Sequence, residues 1–359
     1  MLIMRYFTLK TRLLALSLLA AICAAAQPTP AEFAAHPERS AGIYRSYEYL
    51  PGPAAPVPAG YEPFYISHYG RHGSRYHSSE KAYDRPLSVL LQASEAGKLT
   101  PKGQEVLAKV EALAADAYLR YGDLSPRGTA EHRGIAERMY AAWPEVFSTD
   151  GGRVCRVESR STLVPRCILS MAAFNERLKE LNPAITTTRD ASGRYLDYMA
   201  RGNSLVLARK AVAAVADSLS RARLNPDRLV RSLVTDPRTV AEPLELMQDL
   251  YMLASIVQDV SHLGIEPFYD IFTDEELYSL WECENALRYM QMGPSARFGD
   301  PIVADAGALL RNIVETADEV VRGESDLSAS LRFGHDTCIT PLLAWSRSTT
   351  LPRCGMPRP

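Results

Sequence analysis

The sequence predicts an α/β fold: a parallel-sheet core with helices on both faces, plus an inserted helical cap subdomain. Three observations carry this reading. The aromatic and β-branched run Phe64-Tyr65-Ile66, inside Glu62–Tyr69, ends at Gly70 and predicts a buried strand that stops in a loop. A second strand over Arg153–Glu158 is followed by an apolar helical pattern over Thr162–Leu181, and such strand-to-helix crossovers belong to parallel sheets covered by helices. From about residue 203 to 290 the pattern is helical with no strong strand in it, which an insertion between two parts of the core explains.

Along the chain, residues 1–26 read as a cleavable export signal. Arg5, Lys10 and Arg12 precede the apolar run Leu13 to Ile22, and Ala24-Ala25-Ala26 supplies a small-residue cleavage site. That run is shorter than the roughly 20 residues a membrane span needs, so no stable span is expected after cleavage. Residues 27–61 form an extended lead-in, because Pro and Gly crowd 51–60 and the fold is expected to start just after them. The first part of the α/β core covers 62–190. Within it Thr100-Pro101 opens a helix to about Tyr121, where Gly122 stops it, and Ser125-Pro126 opens another. The helical cap covers 191–300, with a capping-box spacing at Thr273 and Glu276 ahead of Leu277, Leu280 and Trp281. The core resumes over 301–345 with a helix near 302–321 and a strand over Ser328–Phe333. Residues 346–359 have neither apolar period nor strand alternation and read as an irregular, disordered tail, with the features of a truncated or frame-shifted end.

Composition bounds the function. A chain of 359 residues, 47% hydrophobic, can bury a sizeable core, and a formal net charge of -2 argues against nucleic acid as the main partner. Cys155, Cys167, Cys283, Cys338 and Cys354 follow the leader, an odd number without CxxC spacing; buried free thiols are expected, and a zinc site is not. No metal or cofactor is expected, and the oligomeric state stays open.

Chemistry concentrates after the first strand, where Arg71, His72, Arg75 and His77 fall within seven residues beside Gly70 and Gly73. A solvated charged loop is the plain reading. A metal site through His68, His72 and His77 is weakened by two arginines and the lack of a carboxylate in the cluster. An anion pocket suits two guanidinium forks around an imidazole at the C-terminal end of a strand, where open α/β sheets bind ligands.

Arg71-His72-Gly73-Ser74-Arg75 resembles the RHGxR signature of the histidine acid phosphatases, in the wider histidine phosphatase superfamily. Three further stretches fall in that family's order: Leu124-Ser125-Pro126-Arg127-Gly128, Arg160-Ser161-Thr162 with Arg166, and Phe333-Gly334-His335-Asp336-Thr337. The resemblance covers roughly residues 62 to 345 and implies a phosphoglycerate mutase-like core. It implies that His72 attacks phosphorus and forms a phosphohistidine, that Arg71, Arg75, Arg166 and His335 hold the phosphoryl oxygens, and that Asp336 protonates the leaving oxygen. His77 is a candidate substrate contact. The expected partner is a small phosphorylated molecule, with a phosphorylated inositol or sugar the leading class. A broad-specificity acid phosphatase, a phosphosugar mutase and a catalytically impaired phosphate-binding protein stay open beside it, the last because of the tail.

Overall fold

The computed structural model describes residues 29–52, 57–199 and 203–348. Its centre is a sheet of four parallel strands, β1 (Ile66–Arg71), β2 (Arg156–Ser161), β3 (Thr186–Ala191) and β4 (Ala329–Gly334), in the order β1-β4-β2-β3. Numbered in chain order, the longer helices are α1 (Lys81–Glu95), α2 (Pro101–Ala117), α3 (Pro126–Ala142), α4 (Pro165–Leu181), α5 (Asn203–Arg223), α6 (Pro243–Ile256), α7 (Asp274–Met292), α8 (Gly307–Val321) and α9 (Asp336–Ser348).

Strand β4 has a neighbour on each side and is buried at every residue. Its two faces differ. Ala329, Leu331 and Phe333 join Val157, Met171, Phe174 and Leu178 in an apolar core beneath α3 and α4. On the other face Arg332 is fully buried and donates to Asn312 and Thr316 of α8 and to Ser67 of β1. Helices therefore cover both faces, as expected.

A second apolar core is helical. It joins α1, α2 and α6 to residues 224–283 and takes in Phe33, Ala41 and Tyr44 from the start of the chain. Residues 30–44 and 81–117 thus pack with the helical body, which extends beyond the 191–300 insertion. The extended lead-in is corrected accordingly: Pro30–Ala35 is a short helix and Pro37–Tyr44 a 3-10 turn, held because Phe33 and Tyr44 have apolar surface to bury.

Other boundaries shift for identifiable reasons. Strand β1 starts at Ile66, where its N–H meets the Ser328 carbonyl, and Phe64 is left 53% exposed; pairing with β4 sets the start, and the aromatic run does not. Strand β2 begins at Arg156, opposite Thr186 of β3, and its pairing with β4 starts at Val157. Helix α2 ends at Ala117, because Leu119 turns to φ +59° before Gly122 at φ +81°. Thr100 and Ser125 cap α2 and α3, each accepting an N–H three residues on, and the Thr273–Glu276 capping box is formed. The helix near 302–321 is split into Gly299–Ala304 and α8.

Helix α9 runs to Ser348, past the start assigned to the irregular tail; residues 349–359, like the leader at 1–26, lie outside the described residues. Cys155, Cys167, Cys283 and Cys338 are buried free thiols, and Cys354 is outside the described residues. Among the described residues no helix is long and apolar enough to cross a membrane.

Candidate active site

Four chain segments meet at the C-terminal end of the sheet. Because Arg71 of β1 pairs with Gly334 of β4, the end of β1 delivers Arg71 and His72 beside His335 and Asp336, which follow β4. The His72 N–H donates to the Gly334 carbonyl at 2.9 Å, so the loop that carries His72 starts anchored to the neighbouring strand. Strand β2 leads into α4, whose first turn supplies Arg166.

Two glycines make the loop's packing fit. A Cβ on Gly73 would stand 2.4 Å from the Gly128 carbonyl oxygen, and one on Gly128 would stand 2.2 Å from that of Ser74. The start of α3 thus lies backbone to backbone against the loop, fastened by Ser125, whose hydroxyl donates to the Ser74 carbonyl at 3.0 Å. The Gly73 N–H donates to Ser170 of α4 at 3.1 Å.

His72 is 5% exposed, and its Nδ1 lies 2.8 Å from the Gly73 carbonyl oxygen. A carbonyl only accepts, so Nδ1 carries the proton and Nε2 presents a lone pair. Burial pushes the His72 pKa far below the usual histidine range, with Arg71, Arg166 and Arg75 adding to the effect against the Gly73 carbonyl. The imidazole is therefore neutral.

Three guanidinium groups surround it. Each is tied by one terminal nitrogen to a carbonyl: Arg71 to Ile43 at 2.7 Å, Arg75 to Tyr76 at 2.7 Å, and Arg166 to Gly122 at 3.3 Å. The Nε of all three is buried without a hydrogen-bond partner. The Nε atoms of Arg39, Arg127 and Arg160 are in the same state elsewhere, but Arg71, Arg75 and Arg166 stand around one imidazole, where an anion would meet them. Arg71 Nε also stands 3.4 Å from Asp336 Oδ2, at ion-pair distance but outside hydrogen-bond geometry.

The His335 ring lies 5.6 Å from that of His72 at 73°, and its Nε2 is 3.4 Å from Thr162 Oγ1. Burial lowers its pKa to about 4, helped by Arg166, Arg71 and Arg75 and opposed by Asp336. Asp336 opens α9, where Oδ1 accepts the Thr337 N–H at 2.8 Å and Oδ2 faces Arg71.

The structure thus brings together His72, Arg71, Arg75, Arg166, His335 and Asp336. His77 is different, and its expected part as a substrate contact is corrected. It is 2% exposed, packs against Tyr44 and Tyr83, and directs Nε2 to the Met252 carbonyl at 3.0 Å. Its place is beneath the loop.

Several functional residues escape sequence reasoning. His132 is buried and donates from Nε2 to the Arg71 carbonyl at 3.1 Å, a packing position that also holds the end of β1. Tyr69 accepts the His335 N–H at 3.2 Å. Glu131 accepts both the N–H and the hydroxyl of Ser74 at 2.7 Å. A glutamate and a histidine inside a helix give no signal of such roles. A cavity of about 340 Å³ opens on the loop itself, lined by Arg71, His72 and Arg75 together with Glu131, His132 and Asp259.

No family model and no curated protein matches this sequence. Solved structures do. The multiple inositol polyphosphate phosphatase of Bifidobacterium longum in complex with inositol hexasulfate superposes with a TM-score of 0.67, at 18% identity over 82% of this chain and 79% of that one. Its phosphate complex gives 0.66 at 18% identity, over 80% and 74%. The phytase from D. castellii gives 0.60 at 18% identity, over 88% and 69%. The chain has the α/β fold of these phytase-like histidine phosphatases.

Proposed function

We propose that the protein is a phosphomonoester hydrolase of the histidine acid phosphatase type, working through a phosphohistidine. The observation that carries this is a neutral His72, its Nε2 lone pair free, among three arginines whose buried Nε groups lack hydrogen-bond partners. Such a site binds a phosphoryl group and attacks it.

In the first step His72 Nε2 bonds to phosphorus while the ester P–O bond breaks, and Asp336 gives its proton to the leaving oxygen. In the second, water attacks the phosphohistidine, Asp336 takes the water's proton, and phosphate leaves with His72 restored. Arg71, Arg75, Arg166 and His335 stabilise charge on the phosphoryl oxygens in both steps. Helix α9, packed on β1, α7 and α8, carries Asp336 in its first turn.

A phosphorylated inositol is the favoured substrate, with sugar phosphates beside it, since the fold is shared with enzymes named for inositol polyphosphates and phytate. From the leader read at 1–26 we infer an exported enzyme, periplasmic or secreted. Phosphate release from inositol phosphates, sugar phosphates and nucleotides at acidic pH, with chelator present, tests the activity and the substrate together. Release from inositol phosphates at the highest kcat/KM is expected, and no release from any ester by folded protein overturns the proposal.

A further inference from the structure

One buried cluster has no part in the chemistry above: two carboxyl groups joined by two serine hydroxyls. Ser46 Oγ lies 2.8 Å from Asp259 Oδ1, Ser74 Oγ lies 3.2 Å from Ser46 Oγ, and Ser74 Oγ lies 2.7 Å from Glu131 Oε1. Ser46, Ser74 and Asp259 are all buried, and the Glu131 side chain is 7% exposed. The cluster ties the start of the chain, the RHGSR loop, helix α3 and the 3-10 turn after α6 at one point.

Counting protons shows what the cluster requires. Three oxygen–oxygen contacts need three protons, and two serines supply two. With both carboxyl groups ionised, one contact sets lone pair against lone pair, which burial makes costly. One added proton on a terminal carboxyl completes the chain. Glu131 already accepts the Ser74 N–H at 2.7 Å and the Tyr47 N–H at 3.0 Å, with Arg127 Nε 3.5 Å away, so negative charge is best held at that end.

Asp259 is the end suited to carry the proton. Burial pushes its carboxyl up to about 6, the Ser74 and Ser46 hydroxyls and Arg71 oppose the shift, and Glu131 adds to it. The Asp259 charge also reaches the phenols of Tyr83 and Tyr269. We propose that Asp259 is a positioning residue that acts as a neutral acid, donating through Ser46 and Ser74 to the Glu131 carboxylate and thereby fixing the nucleophile loop two residues beyond His72. Its catalytic consequence rests on the phosphohistidine reading; the proton chain itself does not. When Asp259 ionises, the chain loses its first donor and the hold on Ser74 weakens.

The test follows melting temperature and kcat against pH in wild type, Asp259→Asn and Ser46→Ala, with 2,4-dinitrophenyl phosphate, whose leaving group needs no proton from Asp336. An amide donates at every pH, so Asp259→Asn keeps the acid-side rate. Wild-type kcat falls about fivefold as pH rises through the Asp259 transition, the worth of one neutral hydrogen bond, and in Asp259→Asn that fall is absent. The melting temperature of Asp259→Asn gains about 5 °C on wild type across the same transition. Ser46→Ala cuts the chain and holds kcat near the wild-type high-pH level throughout.

Asp259→Asn curves that run parallel to wild type in both measurements overturn the proposal. So does a Ser46→Ala enzyme that keeps the wild-type rate and pH step. No turnover in any of the proteins, with the melting-temperature difference still opening, sinks the phosphatase reading and leaves the proton chain standing.

Discussion

At the scale of single residues, the account depends on protonation and on unpartnered donors. His72 needs only a lone pair on Nε2, which the Gly73 carbonyl secures by holding the proton on Nδ1. His72→Ala is therefore expected to abolish turnover in a phosphate-release assay while leaving the fold intact. Asp336→Asn is expected to cost most with poor leaving groups, because only those need a proton from the enzyme. A comparison of kcat for alkyl and dinitrophenyl esters checks this, and equal losses on both would contradict the acid role. Arg166 offers a buried, unpartnered Nε to the anion, and Arg166→Ala is expected to lower kcat by about 10² to 10³, as loss of an oxyanion donor does.

At the scale of elements, the site depends on the close seat of α3 against the loop. Gly128→Ala puts a methyl 2.2 Å from the Ser74 carbonyl oxygen, so backbone must move. A loss of about 1 to 3 kcal/mol is expected by denaturant unfolding, with a fall in kcat because the displaced loop carries His72. The same elements show what a sequence discloses. Residues that bear chemistry in the open, from Arg71 to Asp336, were legible because their types and order are distinctive. Strand β3 was not, since Thr186–Ala191 is a mostly exposed edge with no apolar alternation. Helix α1 was hidden by Pro86, which lies inside it and is buried. Glu131 and Asp259 carry no motif, and only the fold brings them to Ser74 and Ser46.

For the whole molecule, pH sets opposing demands. Burial holds His68, His132 and His335 to pKa values of about 4 and His77 to about 3. Below the ordinary histidine range the unfolded chain binds more protons than the native one, so this stability is present above about pH 6.5 and is lost as pH falls toward 4. His77 and His132, both wholly buried, account for about 3 kcal/mol or more each. Asp259 acts with the opposite sign, because its raised pKa gives stability that is lost as pH rises through about 6. The histidines, His72 among them, outweigh the raised carboxyls of Asp259 and Asp249. Calorimetry is expected to show the melting temperature rising between about pH 4 and pH 6.5, and a falling curve would contradict these burials.

The central claim is a covalent phosphohistidine at His72. It is tested most directly by quenching the enzyme in alkali during turnover of a phosphate ester and mapping the label by mass spectrometry. The account predicts an acid-labile phosphoryl group on the peptide that holds His72, and none in His72→Ala. Steady turnover with no phosphoenzyme, or a label carried by any other residue, would contradict it.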